Sequence, residues 1–412
     1  MIKLLQAKSN DPDQAACCKV WYFVSQTKTI KFWFIVSIIE SLQRLSFCYK
    51  LCHQKSELDM NEEMKNNFRP STFDDVIGQD AVKEFMQIKI NAFKKTGRSV
   101  SHTLLLGFSG SGKTTLANVV ANEMGVNFIS VMGTRLKTWN DLYAFVKQIR
   151  ENDVLFIDEI HCLSEKMQEH LYGLMEDFTY TVQEKNMTRP QTFHAPKFTL
   201  IGATTHAGDL NAPFLGRFAY HAQLVPYTVE ELTTMVKKAG RRIYNIEVPH
   251  EIAEKIANLS CRVARKAYTI LQNMVEVAEG TAQGRINSSH MNTELLKKTL
   301  KFMGIDPLIG LDTASRKYVA TTVRLNKELG VGTIASMINE QEITVRNFIE
   351  PHLLTDLEFI HPVSGVKVTG PFSQITKKGR VPTKQALIYI QLMQKFQSSH
   401  GFFQNENLSL SE

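Results

Sequence analysis

Cysteine is scarce once the first 52 residues are passed. Four of the six lie at Cys17, Cys18, Cys48 and Cys52, and only Cys162 and Cys261 follow. That rules out a disulfide scaffold and suits a reducing compartment, so the chain is expected to be cytoplasmic. Long apolar runs are missing too. The stretch 32–39, FWFIVSII, is closed by Lys31 and Glu40 and falls well short of the roughly 20 residues a membrane helix needs. No basic segment leads into an apolar run and a small-residue cleavage site, so no secretory signal and no membrane association are expected. Low-complexity tracts are absent. Charge is only mildly unbalanced, at +7, which permits nucleic-acid binding without requiring it. Cys48, Cys52 and His53 lack a second ligand pair at zinc-like spacing and read as incidental.

What is present is ordinary globular material: 412 residues, 43% hydrophobic and 22% charged, enough for two to four domains. Residues 1–59 differ from the rest and read as an N-terminal extension, poorly ordered or packed as a short helix. Over 60–226, apolar runs at 103–106, 154–157 and 199–201 alternate with helical spacing at 118–124 and 166–175. That is the α/β pattern of a buried parallel sheet. Over 227–304 strand signals vanish. Helices are expected at 229–243, 251–259, 263–279 and 293–302, the first capped by Thr228 with Glu231. Gly304-Ile305-Asp306-Pro307 reads as a linker. Residues 305–396 follow with helices at 312–328, 333–338 and 343–354, then two strands around Ser364-Gly365, the order of a winged helix. A polar tail is expected from 397 to 412.

Gly107-Phe108-Ser109-Gly110-Ser111-Gly112-Lys113-Thr114 matches G-x-x-x-x-G-K-[ST] in full, after an apolar strand and before a helix expected to begin at Thr115. The glycines, Gly110 and Gly112 among them, let main-chain N–H groups approach phosphate, and the helix N-terminus adds partial positive charge. Lys113 would reach the β- and γ-phosphates of ATP, and the Thr114 hydroxyl would hold Mg²⁺. About 45 residues on, Val154-Leu155-Phe156-Ile157 runs into Asp158-Glu159. A buried strand delivers both carboxylates at its C-terminal edge, where ligands sit in open α/β sheets. Asp158 would hold Mg²⁺ through water, and Glu159 would polarise the attacking water.

Three further positions stay open on the residues alone. Thr205, after the strand at 198–201, is either a γ-phosphate sensor or part of a plain turn. Arg217 is either a surface ion pair or a cation projected into a neighbour's nucleotide. Arg262 and Arg265, on the helical segment, carry the same two readings.

The blocks Phe68-Arg69-Pro70 through Gly78-Gln79, Thr114-Thr115-Leu116-Ala117-Asn118, Val154 through Ile160-His161, Met175-Glu176-Asp177-Phe178 and Phe198 through Thr204-Thr205 resemble the RuvB family of Holliday-junction branch-migration motors. The likeness spans roughly 68–369 and weakens after Pro226. It implies an AAA+ P-loop core, a helical lid and a C-terminal winged helix, assembled as a homo-hexamer on double-stranded DNA at a four-way junction. It also implies roles. Phe68 and Arg69 would lie near adenine; Gly110, Lys113, Thr114 and Thr115 would bind phosphate and Mg²⁺; Glu176, Asp177 and Phe178 would lie near nucleotide. Thr205 would be the first sensor, Arg217 the trans-acting finger, and Tyr227 and Arg262 lid-side contacts. Since the likeness begins only at Phe68, Met60 and Met64 stand as alternative starts.

Three departures stand out. The family's Gly-Thr-Pro before the lid arginine reads Leu259-Ser260-Cys261. The hairpin at 179–197 has Tyr180-Thr181-Val182-Gln183-Glu184-Lys185 and Asn186-Met187 in place of an aliphatic tip, so a RuvA-like partner is implied by the family but not by these residues. The wing, 361–367, keeps one basic residue, Lys367. Residues 361–399 nonetheless hold six cations and no acid, and Lys367, Lys377, Lys378 and Arg380 are the candidate DNA-phosphate contacts. The resulting expectation is a Mg²⁺-dependent ATP hydrolase and DNA helicase driving branch migration. The rivals are a clamp-loader-like or protein-remodelling AAA+ machine, marked by a wholly helical C-terminal domain, and a nucleotide-gated DNA-binding factor with a decayed motor.

Overall fold

A computed structural model of the chain describes residues 69–182, 191–282, 286–361 and 364–400. The extension at 1–59, its apolar stretch and cysteines, Phe68, the hairpin tip and residues 401–412 lie outside the described residues.

The strands are β1 (Thr103–Leu106), β2 (Phe128–Met132), β3 (Val154–Asp158), β4 (Thr179–Val182), β5 (Gln191–His194), β6 (Thr199–Thr204) and β7 (Tyr220–Gln223), followed by β8 (Leu357–Ile360), β9 (Lys367–Gly370), β10 (Ser373–Ile375) and β11 (Arg380–Pro382). Five form one sheet in the order β2-β3-β6-β1-β7, every pairing parallel. Both faces must then be covered, and two apolar clusters do so. One packs Val82, Met86 and Ile90 of the helix Asp80–Thr96 with Leu116 and Val120 of Lys113–Met124. The other packs Leu171 and Leu174 of Glu165–Glu176 with Phe198 and Phe214. Since β1 sits mid-sheet while the chain next crosses to β2 at the edge, a switch point opens beyond the C-terminal ends of β1, β6 and β3, where such folds take ligands. Register puts Leu106 opposite Thr204 and Ile157 opposite Gly202, so Gly107, Asp158 and Thr205 emerge at one edge.

Four helices follow: Val229–Tyr244, His250–Leu259, Ala264–Thr281 and Thr293–Met303. They share one apolar cluster from Leu232 to Ile305, and Thr228 with Glu231 forms the capping box at its start. The Gly304–Pro307 segment is no loose linker. Asp306 is fully buried and accepts the main-chain N–H groups of Leu308, Ile309 and Leu311. Burial pushes its carboxyl up, against those three donors.

The C-terminal module has its own apolar cluster. It contains the helices Thr313–Leu325 and Val331–Ile338 and a helical run made of Glu342–Thr344, a π-helical stretch Val345–Ile349 and Glu350–Leu353. Hairpin β8–β9 is joined by a second, unforeseen hairpin, β10–β11. A closing helix, Lys384–His400, runs through the start of the expected tail. Two hairpins exclude the wholly helical domain that would have marked a clamp-loader-like machine. Among the described residues, no helix is long and apolar enough to cross a membrane.

Candidate nucleotide site

The loop between β1 and the helix Lys113–Met124 is shaped by its glycines. Gly110 and Gly112 have φ of 80° and 95°, the left-handed region that a side chain disfavours. A Cβ on Gly110 would also come within 2.8 Å of Val263 and 2.9 Å of Arg265, and one on Gly112 within 2.8 Å of the Tyr227 hydroxyl. Glycine is therefore required twice over, by the turn and by the helical segment lying against it. Gly112 caps the helix, which begins at Lys113, two residues before the sequence-based expectation. Its open N-terminus faces the loop.

Lys113 is buried and donates to the carbonyls of Gly107 (2.8 Å) and Phe108 (3.0 Å). Burial lowers its ammonium pKa, while Glu159 and Asp158 pull it back up. The Ser111 hydroxyl is buried with no hydrogen-bond partner. A cradle with left-handed glycines, an inward ammonium and an orphaned hydroxyl fits a phosphate group.

The Thr114 hydroxyl donates to Asp158 Oδ2 at 3.0 Å, across the gap between loop and acidic strand. Hydroxyl and carboxylate oxygens are the hard donors a magnesium ion takes, alongside water and phosphate, so this pair fits Mg²⁺. Glu159 follows at φ 49°. Its carboxylate meets the Thr205 hydroxyl at 3.5 Å and His161 Nδ1 at 3.3 Å.

The helical segment closes over the loop. The Tyr227 hydroxyl donates to the Ser111 carbonyl at 3.0 Å, and burial pushes its pKa up to about 12. Arg265 Nη1 donates to Ser109 Oγ at 3.2 Å. Gln79 pairs both ways with the main chain of Val225, at 2.8 and 3.0 Å, and ties the 68–79 block to the same end of the site. Arg69 is exposed at the start of the described chain. Thr115 stands in the first turn of the helix, half-buried.

Other candidates gather elsewhere. Arg217 lies over the Tyr172 ring (3.9 Å), pairs with Glu176 (3.1 Å) and donates to the Pro213 carbonyl (2.7 Å). The backbone end at Met175 is anchored by His102, whose Nε2 lies 3.0 Å from the Met175 carbonyl while Nδ1 accepts the Leu200 N–H. Asp177 is exposed, and Phe178 packs its ring against His102 and Phe198. Arg217, Glu176, Asp177 and Phe178 thus form one patch. Among the described residues, no hydrogen bond or ion pair joins it to the chain's own phosphate loop.

Arg262, with φ 61° after Cys261 at 52°, pairs with Glu358 of β8 at 3.5 Å. The same Glu358 holds Lys367 at 2.8 Å. Lys377 and Lys378 stand exposed in the β10–β11 turn. Arg380 requires a correction. It grips Glu350 through Nε (2.8 Å) and Nη2 (3.0 Å), with side chains only 13% and 4% exposed. A guanidinium locked bidentate onto a buried carboxylate braces the fold and is not free for DNA. The basic run hid this because Glu350 is 30 residues away.

The chain is similar to known proteins along most of its described length. Residues 68–224 match the model of the Holliday junction DNA helicase RuvB P-loop domain. The Holliday junction branch migration complex subunit RuvB of Campylobacter hominis is 38% identical over 301 residues, covering 72% of this chain and 86% of that protein. Its counterpart from Orientia tsutsugamushi is 36% identical over 334 residues, covering 80% and 96%. Among solved structures, the Thermotoga maritima RuvB Holliday junction branch migration motor superposes with a TM-score of 0.65 at 30% identity, over 79% of this chain and 98% of that one. A substituted form of the same protein gives 0.66 at 31%. With relatives this similar matched along most of their length, the chain belongs to the RuvB family of Holliday-junction branch-migration motors.

Proposed function

We propose that this chain hydrolyses ATP to move the crossover of a four-way DNA junction, working in the cytoplasm as a homo-hexameric ring whose sites are completed between neighbours. The observation that carries the chemistry is the 3.0 Å contact between Thr114 and Asp158, which fixes the phosphate loop against the acidic strand end. Lys113 is held in the loop to meet the β- and γ-phosphates. Glu159 accepts a hydrogen bond from water and aims its oxygen at the γ-phosphorus, and Thr205 stands beside the same carboxylate. Thr114 and Asp158 would hold a magnesium ion, which would supply positive charge against the transferred phosphoryl group.

Arg217 supplies a cation to the adjoining subunit's nucleotide, with Glu176, Asp177 and Phe178 on the same edge. Tyr227 and Arg262 report nucleotide from the lid side. The 305–400 module acts as a winged helix, with Lys367, Lys377 and Lys378 as DNA-phosphate contacts. The hairpin tip, 183–190, which would meet a RuvA-like protein, lies outside the described residues, and the Tyr180–Lys185 sequence gives that partner no support.

ATP turnover with and without four-way-junction DNA, beside molar mass by light scattering with ATP and Mg²⁺, tests this reading. The expected result is junction-stimulated turnover by a hexamer, abolished by Lys113→Ala. Turnover that survives Lys113→Ala, or stays near zero with junction DNA, defeats it.

A further inference from the structure

A second set of contacts runs outward from Glu159 through residues given no part in the chemistry above. His161, in the turn Ile160–Cys162 after β3, places Nδ1 2.9 Å from Thr204 Oγ1 as well as 3.3 Å from Glu159 Oε2. The main-chain N–H of His206 donates to the same Thr204 hydroxyl at 2.9 Å. The His206 ring stands edge-on to His161, with centroids 5.5 Å apart at 87°. Its Nε2 lies 3.0 Å from Asn347 Oδ1. Asn347 belongs to the C-terminal module and sits in the π-helical stretch Val345–Ile349. Such stretches are rare and favour functional places.

Both tautomers follow from the partners. A carboxylate and an amide oxygen only accept, so His161 must carry its hydrogen on Nδ1 and His206 on Nε2. The contacts on the Glu159 carboxylate, 3.3 and 3.5 Å, are both long. Its main chain is held: the Glu159 carbonyl accepts the Cys162 N–H at 2.9 Å and its own N–H donates to Asp158 Oδ1 at 3.0 Å. Backbone position is therefore set, and aim is left to two weak side-chain contacts. One of them, His161, is shared with Thr204 and backed by His206.

We propose that His161 is a positioning residue for Glu159, and that the His206–Asn347 hydrogen bond lets the seating of the C-terminal module set how well Glu159 aims the attacking water. A module seated as here keeps His206 behind Thr204 and His161; one shifted from that seat would release His206 and lower turnover without touching the phosphate cradle. The proposal rests on the hydrolytic role of Glu159 given above.

The test is steady-state ATP turnover by the full chain with junction DNA, reading kcat and KM separately, with thermal melting as the fold control. Asn347→Ala is expected to lower kcat about 10-fold at unchanged KM and melting temperature, and Asn347→Asp, which keeps the acceptor oxygen, to restore it. The His206→Ala/Asn347→Ala pair should be no worse than His206→Ala alone. His161→Ala should cost about 10²-fold in kcat, and His161→Asn, which keeps a donor near Nδ1, should recover part of it. Unchanged or raised kcat in Asn347→Ala overturns the coupling, as does a parallel loss of kcat, KM and melting temperature. Glu159→Gln separates the two levels. If it still turns over ATP, the reading of Glu159 has failed; if it is dead while Asn347→Ala behaves as the unaltered chain, only the coupling has.

Discussion

Replacing Arg380 by alanine should unfold the C-terminal module and not merely weaken DNA binding. Glu350 is 4% exposed and has two kinds of partner: the Arg380 guanidinium at 2.8 and 3.0 Å, and the Tyr318 hydroxyl at 3.1 Å. Arg380→Ala leaves a buried carboxylate with one neutral donor. Breaking a buried pair in this way costs about 3–5 kcal/mol. Losing a half-exposed pair such as Arg346–Glu342 costs about 0–1 kcal/mol. The assay is urea unfolding of the full chain followed by far-ultraviolet circular dichroism, with the salt dependence of junction-DNA affinity measured alongside. The double variant Arg380→Met/Glu350→Gln should regain much of the loss, because no buried charge is then orphaned. Lys377→Ala and Lys378→Ala should leave unfolding within about 0.5 kcal/mol, while each reduces the salt slope of binding by about 1. An Arg380→Ala chain that unfolds like the unaltered one but loses DNA affinity would refute the reasoning and return Arg380 to the DNA-binding set.

Arg217→Ala should lower turnover by about 10³-fold in a pure ring while ATP binding persists. Mixing it with Glu159→Gln, equally inactive alone, should recover activity at interfaces where an intact Arg217 meets an intact Glu159; no recovery on mixing argues against action in trans. Burial lowers the His352 pKa from 6.5 to about 4. Between those values the unfolded chain takes up a proton that the folded chain resists. Stability is therefore full above about pH 6.5 and falls as pH drops toward 4, by about 3 kcal/mol in all. His352→Gln should flatten that part of the profile in equilibrium unfolding, and an unchanged slope would show that other groups carry it.

The phosphate loop and the acidic strand end were legible because each is local. Eight consecutive residues specify the first, and a four-residue apolar run ending in Asp158-Glu159 specifies the second. The four lid helices were legible from their apolar spacing and from the Thr228–Glu231 cap. The edge strands were not. In β7 the sequence YHAQ buries only Ala222, and in β2 only Val131 is buried, so neither shows the apolar run of a central strand. The helix Asp80–Thr96 carries a signal of its own, Val82, Met86 and Ile90 at spacing four with Gly97 as cap, but the apolar strands beside it dominate the local pattern. Hairpin β10–β11 has three-residue strands and is held partly by the pairing of Leu329 with Arg380, a contact no local pattern announces. The same non-locality hid Glu350 behind Arg380, and Asn347 behind His206. His161 lay within the sequence block that carried the family likeness, yet only the fold shows that its ring meets Glu159 and Thr204.

The most direct test of the central claim is ATP-driven strand separation of a labelled four-way junction by the purified full chain, set beside Glu159→Gln at equal DNA occupancy. The account predicts branch-migrated products that require ATP and Mg²⁺ from the unaltered chain, and none from Glu159→Gln although it still binds ATP and junction. Products formed without ATP hydrolysis, or equal yields from both proteins, would contradict it.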